Sequence, residues 1–485
     1  MTSIKKNFLY NLSYQGLLIV FPFVTVPYIS RILGPEGIGI YSYTLSIASY
    51  FVLLAMLGVK IYGNRSIARV KDDKLKLSKT FWEIYTFQLL TSSLMIVIYI
   101  LYAILVIENH FLISFIQLIY VLSAAIDISW FYFGVEKFKI TVLRGMVIKI
   151  LGVIAVFIFV KNPHDLWIYV LIMSLTTVLN QLALWPFLLR YVNFIKPTLR
   201  DIKAHIKPNI ILFIPVIAIS LYTIMDKVMV GSLSTMTELG YYENTIKIIA
   251  VPFGVITALG TVMIPRMSNL IVNGKFTQSE KYINISMKFV LFISSAMAFG
   301  IAGIAPIFAP IFFGEGFMPV GNLMALISPI IIFKAWANVI RTQYLIPTLK
   351  DKEYISSVIL GAFVNLILNL MLIKPFGALG AVVGTIIAEF TVSLHQTISV
   401  RKELDILSYL KSGIFFIING LIMFVIIRLI GFSMGTSILT LIIEICSGAL
   451  IYLLLCLVYF NYTKDEVFTK YFNKIVRPIF RLLKK

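Results

Sequence analysis

Long apolar runs separated by short polar breaks dominate the pattern of this chain. A transmembrane helix needs about 20 predominantly apolar residues, and fourteen such runs follow one another along the 485 residues. The pattern therefore predicts an all-α polytopic membrane protein of about 14 transmembrane helices. The predicted spans are roughly 9–32, 40–62, 81–107, 112–134, 145–161, 166–189, 209–231, 240–264, 283–311, 320–340, 354–373, 378–398, 412–431 and 436–460.

The basic residues test this arrangement. Successive loops lie on alternate sides of the membrane, and cytoplasmic loops carry the excess of Lys and Arg. With fourteen spans, 33 of the 42 Lys and Arg fall on the side that holds both termini, four on the opposite side and five within spans. The bias predicts cytoplasmic N- and C-termini.

Composition agrees with this interpretation. Charged residues make up 13% of the chain, about half the fraction in soluble domains. A net charge of +20 would suggest nucleic acid in a soluble protein, but here it follows the loop asymmetry, so we expect no nucleic-acid partner. The sequence has no phosphate-binding glycine loop, metal-ligand cluster or nucleophile elbow. We therefore expect neither an enzyme nor a cofactor or metal.

Two similar stretches indicate an internal repeat, unless their likeness is due to chance. Leu33-Gly34 and Gly39-Ile-Tyr41 join spans one and two, and Val230-Gly231 and Gly240-Tyr-Tyr242 join spans seven and eight. Parallel repeats of this kind are known in transporters, with the substrate between the halves. The predicted organisation is an N-lobe over 1–189, a cytoplasmic linker over 190–208, a C-lobe over 209–400, two further spans over 401–460 and a basic cytoplasmic tail over 461–485.

Three segments carry a resemblance to a known family. They are Asn11-Leu-Ser-Tyr-Gln15, Pro27-Tyr-Ile-Ser-Arg-Ile-Leu-Gly-Pro-Glu-Gly-Ile-Gly-Ile-Tyr-Ser42 and the outer turn Lys374-Pro-Phe-Gly-Ala-Leu-Gly-Ala381. In these segments, and in the number and order of its spans, the chain resembles the bacterial polysaccharide flippases of the Wzx type. Their superfamily also contains the lipid II flippases and the multidrug and toxin extruders.

The resemblance implies a V-shaped transporter of two six-helix lobes with a trailing helix pair, in the bacterial cytoplasmic membrane. It implies a flippase that moves oligosaccharide repeat units linked to undecaprenyl diphosphate from the inner to the outer leaflet, for O-antigen, capsule or exopolysaccharide. The implied partners are this lipid-linked oligosaccharide, membrane lipids, and a polysaccharide polymerase with its chain-length regulator.

Polar residues inside the apolar runs are the candidate site. A charge at the bilayer centre costs about 2.5–3.5 kcal/mol on insertion scales, so such residues often face a cavity, and cations suit a diphosphate. Snorkelling lysine stems, an interfacial anchor and helix–helix hydrogen bonds are the alternatives. The candidate substrate-binding residues are Lys227, Lys247, Lys334, Arg31, Asn365 and Asn369.

Three acidic residues within or near the spans have two open interpretations. Asp226, Asp127 and Glu389 could couple transport to a proton or cation. They could equally be the internal ion-pair partners of lysines, since a buried charge is usually paired.

Two other functions remain as alternatives. A cation-coupled multidrug antiporter of the same architecture would need acidic residues in its cavity, whereas the lysines favour an anionic substrate. A membrane glycosyltransferase or polysaccharide polymerase is more distant, because such an enzyme usually presents a large outer loop and the predicted outer loops are short.

Overall fold

The protein is described by a computed structural model, which covers the backbone of residues 2–463 and the side chains of residues 22–463 apart from 138, 139, 215, 218, 219, 221 and 222. The described residues form helices joined by short connections, with no strand among them. The all-α fold class is thereby confirmed. Most of the predicted basic tail lies beyond residue 463, outside the described residues.

The chain divides into two compact units, Met1–Glu243 and Asn244–Lys485. In the first unit, α9 and α10 cover predicted span seven and pack against the three opening helices. The division into lobes of six, six and two spans stays a prediction. The helices of the first unit are α1 Thr2–Met56, α2 Val59–Val70, α3 Lys74–Leu105, α4 Phe111–Ile126, α5 Ser129–Gly134, α6 Phe138–Phe159, α7 Leu166–Leu182, α8 Trp185–Leu188, α9 Leu199–Thr223 and α10 Met225–Leu233, with a 3₁₀ turn at Pro163–Asp165.

The second unit contains most of α11 and all later helices. Within it, α15 packs on α16, and α12 packs on the trailing pair α17 and α18. These helices are α11 Met236–Val272, α12 Phe276–Phe313, α13 Met318–Ile327, α14 Ile330–Ile340, α15 Asp351–Phe376, α16 Ala378–Val400, α17 Ile406–Met434 and α18 Ile438–Thr463, with a 3₁₀ turn at Glu315–Phe317 and a π-helical turn at Arg341–Leu345.

Eleven helices of the described part of the chain are long and apolar enough to cross a membrane. A twelfth span results if the bent pair Glu315–Ile327 and Ile330–Leu345 counts as one. The prediction of fourteen spans differs at two places. Predicted spans one and two follow each other within Pro22–Val70 as helical segments that meet at a kink at Gly34, without a loop between them. Span seven is interrupted at Ile224, between α9 and α10.

Gly34 explains why no separate loop divides the first two predicted spans. Its φ is 66°, in the left-handed region that residues with a Cβ rarely adopt. Pro35 follows, and proline is tolerated in the first turn of a helix because its missing N–H would have no helical partner there. The chain therefore turns at a single residue and resumes as a helix at once.

A second interruption, at Asp127 between α4 and α5, is held by Gln88 of α3. The Gln88 amide donates to the carbonyl oxygens of Ala124, at 2.6 Å, and Asp127, at 2.9 Å. Its oxygen accepts a hydrogen bond from the Trp130 indole at 2.9 Å. Backbone groups freed from a helix at membrane depth need such partners, so Gln88 stabilises the break.

Candidate functional site

In the first unit, two adjacent charged residues of α10 are each held by a residue of the first two turns of α11. The Lys227 ammonium lies 2.8 Å from a Glu243 carboxylate oxygen, and the Ser42 hydroxyl donates to the same oxygen at 2.9 Å. The Tyr242 hydroxyl donates to Asp226 at 2.8 Å. We call these five residues the Lys227 cluster. Hydrogen bonds to charged groups are the stronger kind, and here they join α10 and α11 to α1.

The glycines of the predicted repeat lie beside the Lys227 cluster and face each other's helix. A Cβ on Gly39 would overlap the carbonyl oxygen of Met236, and a Cβ on Gly240 would overlap the carbonyl oxygen of Pro35. Each glycine thus contacts the residue four positions before the other. We call this contact the glycine crossing. Only residues without a side chain let two helix backbones approach so closely.

In the second unit, Lys334 of α14 forms an ion pair with Glu389 of α16. The ammonium nitrogen is 2.7 Å from a carboxylate oxygen, and the two side chains are 31% and 6% exposed. The ammonium also lies 4.5 Å from the ring centroid of Phe253 in α11, a favourable cation–π distance. We call Lys334, Glu389 and Phe253 the Lys334 cluster. Its cation is partly accessible, whereas its carboxylate is buried.

The two predicted asparagines are buried where α15 packs on α16. The Asn369 amide donates to the Asn365 oxygen at 3.1 Å, and a Cβ on Gly384 of α16 would lie 2.5 Å from the Asn369 oxygen. This placement agrees with helix–helix hydrogen bonding, which was the alternative to substrate binding for both asparagines. A role in substrate binding stays a prediction for both.

The other predicted residues lie apart from these clusters or in other surroundings. The Asp127 carboxylate is 3.3 Å from the Lys60 ammonium, so it has the ion-pair partner that was one of its two interpretations. Arg31 is exposed on α1, and Lys247 is half-buried on α11. Substrate binding by these two cations, and ion coupling by Asp127, stay predictions.

Sequence reasoning missed Glu243, although a signal for it existed. When Gly39-Ile-Tyr41 is aligned with Gly240-Tyr-Tyr242, the next residues are Ser42 and Glu243. The structure joins these two by a hydrogen bond. The repeat therefore marks the position of Glu243, but it does not reveal that Lys227 is the ion-pair partner.

A buried polar chain in the first unit was also missed. Its centre is His205 of α9, whose Nδ1 lies 2.7 Å from the Tyr62 hydroxyl and whose Nε2 lies 3.0 Å from a Glu83 oxygen. Lys79 lies 3.7 Å from the other Glu83 oxygen. The chain joins α9 to α2 and α3. Tyr62 and Glu83 lie 143 and 122 positions from His205 in the sequence. No local pattern could therefore predict this polar chain.

Outside the spans, a charged contact of the second unit joins the segments that follow α14 and α16. Glu403 accepts hydrogen bonds from the Lys350 ammonium and, at 2.8 Å, from the Tyr344 hydroxyl. The hydrogen bond from Lys350 is the main cause that lowers the pKa of the Glu403 carboxyl. The contact is largely exposed, so solvent screens it.

Each of the two clusters, taken by itself, has the chemistry of an exchangeable anion site. The charge of each lysine is neutralised by a buried glutamate, so neither cation is an unpaired charge within the helix bundle. An incoming anion with several oxygens could replace the glutamate as the lysine's partner. In that case the buried carboxylate would need another cation or a proton, because an unpaired buried charge is costly.

Comparison with solved structures identifies the fold. The structure titled "Lipid II flippase MurJ, inward closed conformation" matches with a TM-score of 0.69 at 16% identity, over 92% of this chain and all of that chain. An inward-facing multidrug resistance MATE family transporter matches with a TM-score of 0.57 at 13% identity, over 80% of this chain and 98% of that one. The fold is therefore that of these polytopic membrane transporters.

The chain belongs to the polysaccharide biosynthesis protein family, whose profile matches residues 4–271. A protein of Escherichia coli (strain K12) named "Putative O-antigen transporter" is 23% identical over 405 residues, 83% of this chain and 97% of that protein. The "Lipid II flippase MurJ" of Bacillus subtilis (strain 168) is 26% identical over 160 residues, 32% of this chain and 29% of that protein. The resemblance read from the three sequence segments is thus confirmed.

Proposed function

We propose that this protein is a flippase that moves an oligosaccharide linked to undecaprenyl diphosphate from the cytoplasmic to the outer leaflet, for surface polysaccharide assembly. The family and the names of the relatives support this substrate class. The observation that carries the proposal is the Lys334–Glu389 pair, an accessible cation with a buried counter-ion in a helix bundle. Such a pair can receive a diphosphate, whereas a drug cation would have to compete with the lysine.

The proposed mechanism is an exchange of partners. Lys334 binds Glu389 while the site is empty and binds a phosphate oxygen while the diphosphate crosses. Glu389 is neutralised by a proton or cation during that time, since a lone buried carboxylate is costly. The polyprenyl tail stays in the bilayer. The Lys227–Glu243 pair holds α10 and α11 to α1, and the protein alternates between inward-open and outward-open states.

The test replaces the proposed cation and follows the substrate. Lys334→Ala is expected to abolish surface polymer and to leave lipid-linked repeat units in the inner leaflet, while membrane insertion persists. The matched control is Lys374→Ala, because Lys374 is exposed at the C-terminal end of α15. Wild-type export by Lys334→Ala would overturn the proposed site, and export loss in both variants would leave no special role for Lys334.

The proposal includes an orientation and partners. The loop charge bias supports a cytoplasmic position of both termini, on the side where the lipid-linked unit is made. A polysaccharide polymerase and a chain-length regulator would receive the unit on the outer side. Labelling of single introduced cysteines by a membrane-impermeant reagent tests the orientation. Labelling of an outer-loop cysteine next to Lys374 in intact cells, without labelling next to Lys402, is the expected pattern.

A further inference from the structure

The trailing pair of the second unit contains a carboxyl group that the proposed function does not use. Helices α17 and α18 run antiparallel, and their contacts recur in a regular register. Cys456 accepts from the Asn419 amide at 3.5 Å, Gly448 lies against Ile427, and Gly431 lies against the carboxyl of Glu444. The α17–α18 seam is thus built from small residues set opposite larger ones.

Glu444 occupies a slot that the absent side chain of Gly431 leaves open. A Cβ on Gly431 would overlap Oε1 of Glu444 and would lie 2.8 Å from the Ile307 Cδ1 of α12. The Glu444 residue is 0% exposed. Neither of its carboxyl oxygens has a hydrogen-bond partner among the described residues. The slot therefore encloses the carboxyl group but offers it no hydrogen bond.

No cation in the surrounding helices pairs with this carboxyl. The charged residue that α17 brings nearest is Arg428, one turn before Gly431. Its side chain is exposed and forms no ion pair with Glu444 among the described residues, and its charge attracts the carboxylate only from a longer distance. On α12, residues 289–313 contain no titratable group, and Lys288 lies 19 residues before Ile307, about 28 Å along the helix. On α18 itself, the nearest titratable side chain is the exposed Cys446.

We propose that Glu444 is a proton-binding site in the trailing helix pair. With its proton the carboxyl is neutral and fits the apolar slot, whereas the carboxylate would be an unpaired buried charge. Proton release therefore requires α18 to separate from α17 at Gly431, so that water reaches the carboxyl. Protonation favours the packed pair, and loss of the proton favours its separation. The site is distinct from Glu389 and Glu243, which have lysine partners.

A lipid-soluble carbodiimide reports the protonation state directly. Dicyclohexylcarbodiimide reacts with a carboxylic acid at membrane depth: the acid proton moves to a carbodiimide nitrogen and the carboxyl oxygen adds to the central carbon, so the adduct contains every atom of both reactants. The experiment treats the full-length protein in proteoliposomes and quantifies labelled peptides by mass spectrometry. Glu389 and Glu243 are the internal controls, because each is buried beside a lysine ammonium, at 2.7 and 2.8 Å respectively.

We expect Glu444 to be labelled about tenfold more than either control near neutral pH, since an ion pair favours the charged form of a carboxyl and burial favours the neutral form. Labelling of Glu444 should fall as the medium becomes alkaline. Equal labelling of all three glutamates would overturn the proposal. The result does not depend on transport, so it stands or fails separately from the proposed flippase activity.

A spectroscopic measurement covers the case in which the reagent does not reach the slot. The infrared difference spectrum of wild type minus Glu444→Gln should contain the C=O stretch of a carboxylic acid near neutral pH. Gly448→Ala is the matched control, because it crowds the same seam one turn away and should keep that band. Absence of the acid band in wild type would overturn the proposal, whatever the labelling yield.

Discussion

The Lys227–Glu243 and Lys334–Glu389 pairs have the same chemistry in different surroundings. Their N–O distances are 2.8 and 2.7 Å, and their lysines are 26% and 31% exposed. In the first pair, Ser42 of α1 binds the same glutamate oxygen, and the glycine crossing lies a turn away. In the second pair, the lysine faces an aromatic ring, and the Glu389 oxygen that Lys334 contacts accepts no hydrogen bond from another described residue.

The difference separates a pair that joins helices from a pair that can change partners. Glu243 is fixed by contacts from two helices, so its exchange would disturb the contact of α1 with α10 and α11. Glu389 has fewer partners, so Lys334 can leave it at a smaller cost. On the proposed function, we therefore expect the main substrate contact at the Lys334 cluster and a conformational role for the Lys227 cluster.

The largest expected effect comes from breaking the Lys334 pair. Lys334→Ala leaves Glu389 buried without a cation, and removal of one partner from a buried pair typically costs about 3–5 kcal/mol. We expect lower thermal stability in detergent and no polymer export. The double variant Lys334→Ala/Glu389→Gln removes both charges and should recover most of the stability, but not export.

This double variant separates stability from function. Full recovery of export in the double variant would show that Lys334 only neutralises Glu389, and it would contradict the proposed phosphate contact. Glu389→Gln alone keeps the cation. It should retain substrate binding but lose the exchange step, which a binding assay and an export assay would distinguish.

The second largest effect is expected at the glycine crossing. A larger residue at Gly39 or Gly240 would overlap a backbone carbonyl oxygen, and such overpacking typically costs about 1–3 kcal/mol. We expect Gly240→Val to reduce export strongly with little change in the amount of inserted protein. Gly300→Ala is the control, since its Cβ would meet only the Met423 Cε at 3.7 Å. Normal export by Gly240→Val would mean that the close contact is not needed for transport.

A smaller effect is expected for Lys227. In Lys227→Ala, Glu243 loses its cation but keeps the hydrogen bond from Ser42, so the loss should be about 1–3 kcal/mol of stability. Export should decrease about tenfold at most rather than disappear. If quantitative polymer assays show that Lys227→Ala is as severe as Lys334→Ala, the two pairs have equal roles and the comparison above is wrong.

The smallest effect is expected at Glu403. The pKa of this carboxyl is lowered by its hydrogen bond from Lys350, so its contribution to stability is present above the ordinary glutamate pKa and is lost as the pH falls through the lowered value. Because the contact is largely exposed, Glu403→Gln should leave export unchanged. In the Glu403→Gln variant, the melting temperature should fall less steeply at acidic pH than in the wild type. Scanning fluorimetry at several pH values can measure this difference.

Much of the fold could be predicted because it depends on local composition. Apolar runs and the distribution of lysine and arginine predicted the helices, and the break at Glu108–His110 lies between α3 and α4 as expected. A break after Leu33-Gly34 was predicted, but its compression into a turn at one residue was not, and neither were the interruptions at Asp127 and Ile224. They depend on a single backbone angle or on a distant side chain such as Gln88, and neither leaves a periodic signal.

The candidate site was predictable only as separate residues. Lys334 and Glu389 stand out as charges in apolar runs, but their pairing depends on how α14 packs on α16, 55 positions apart in sequence. Glu444 stands out in the same way and was nevertheless missed, and only its slot, which is made by Gly431 of another helix, depends on packing. Such tertiary registers cannot be read from one sequence.

Transport by reconstituted protein tests the central claim most directly. Proteoliposomes with wild type, Lys334→Ala/Glu389→Gln or Lys374→Ala would be supplied with an undecaprenyl-diphosphate-linked oligosaccharide in one leaflet, and a lectin would detect its arrival in the other. The exchange mechanism predicts transport by wild type and Lys374→Ala and none by the double variant. Equal transport by all three proteins would contradict the assignment of Lys334 as the phosphate contact.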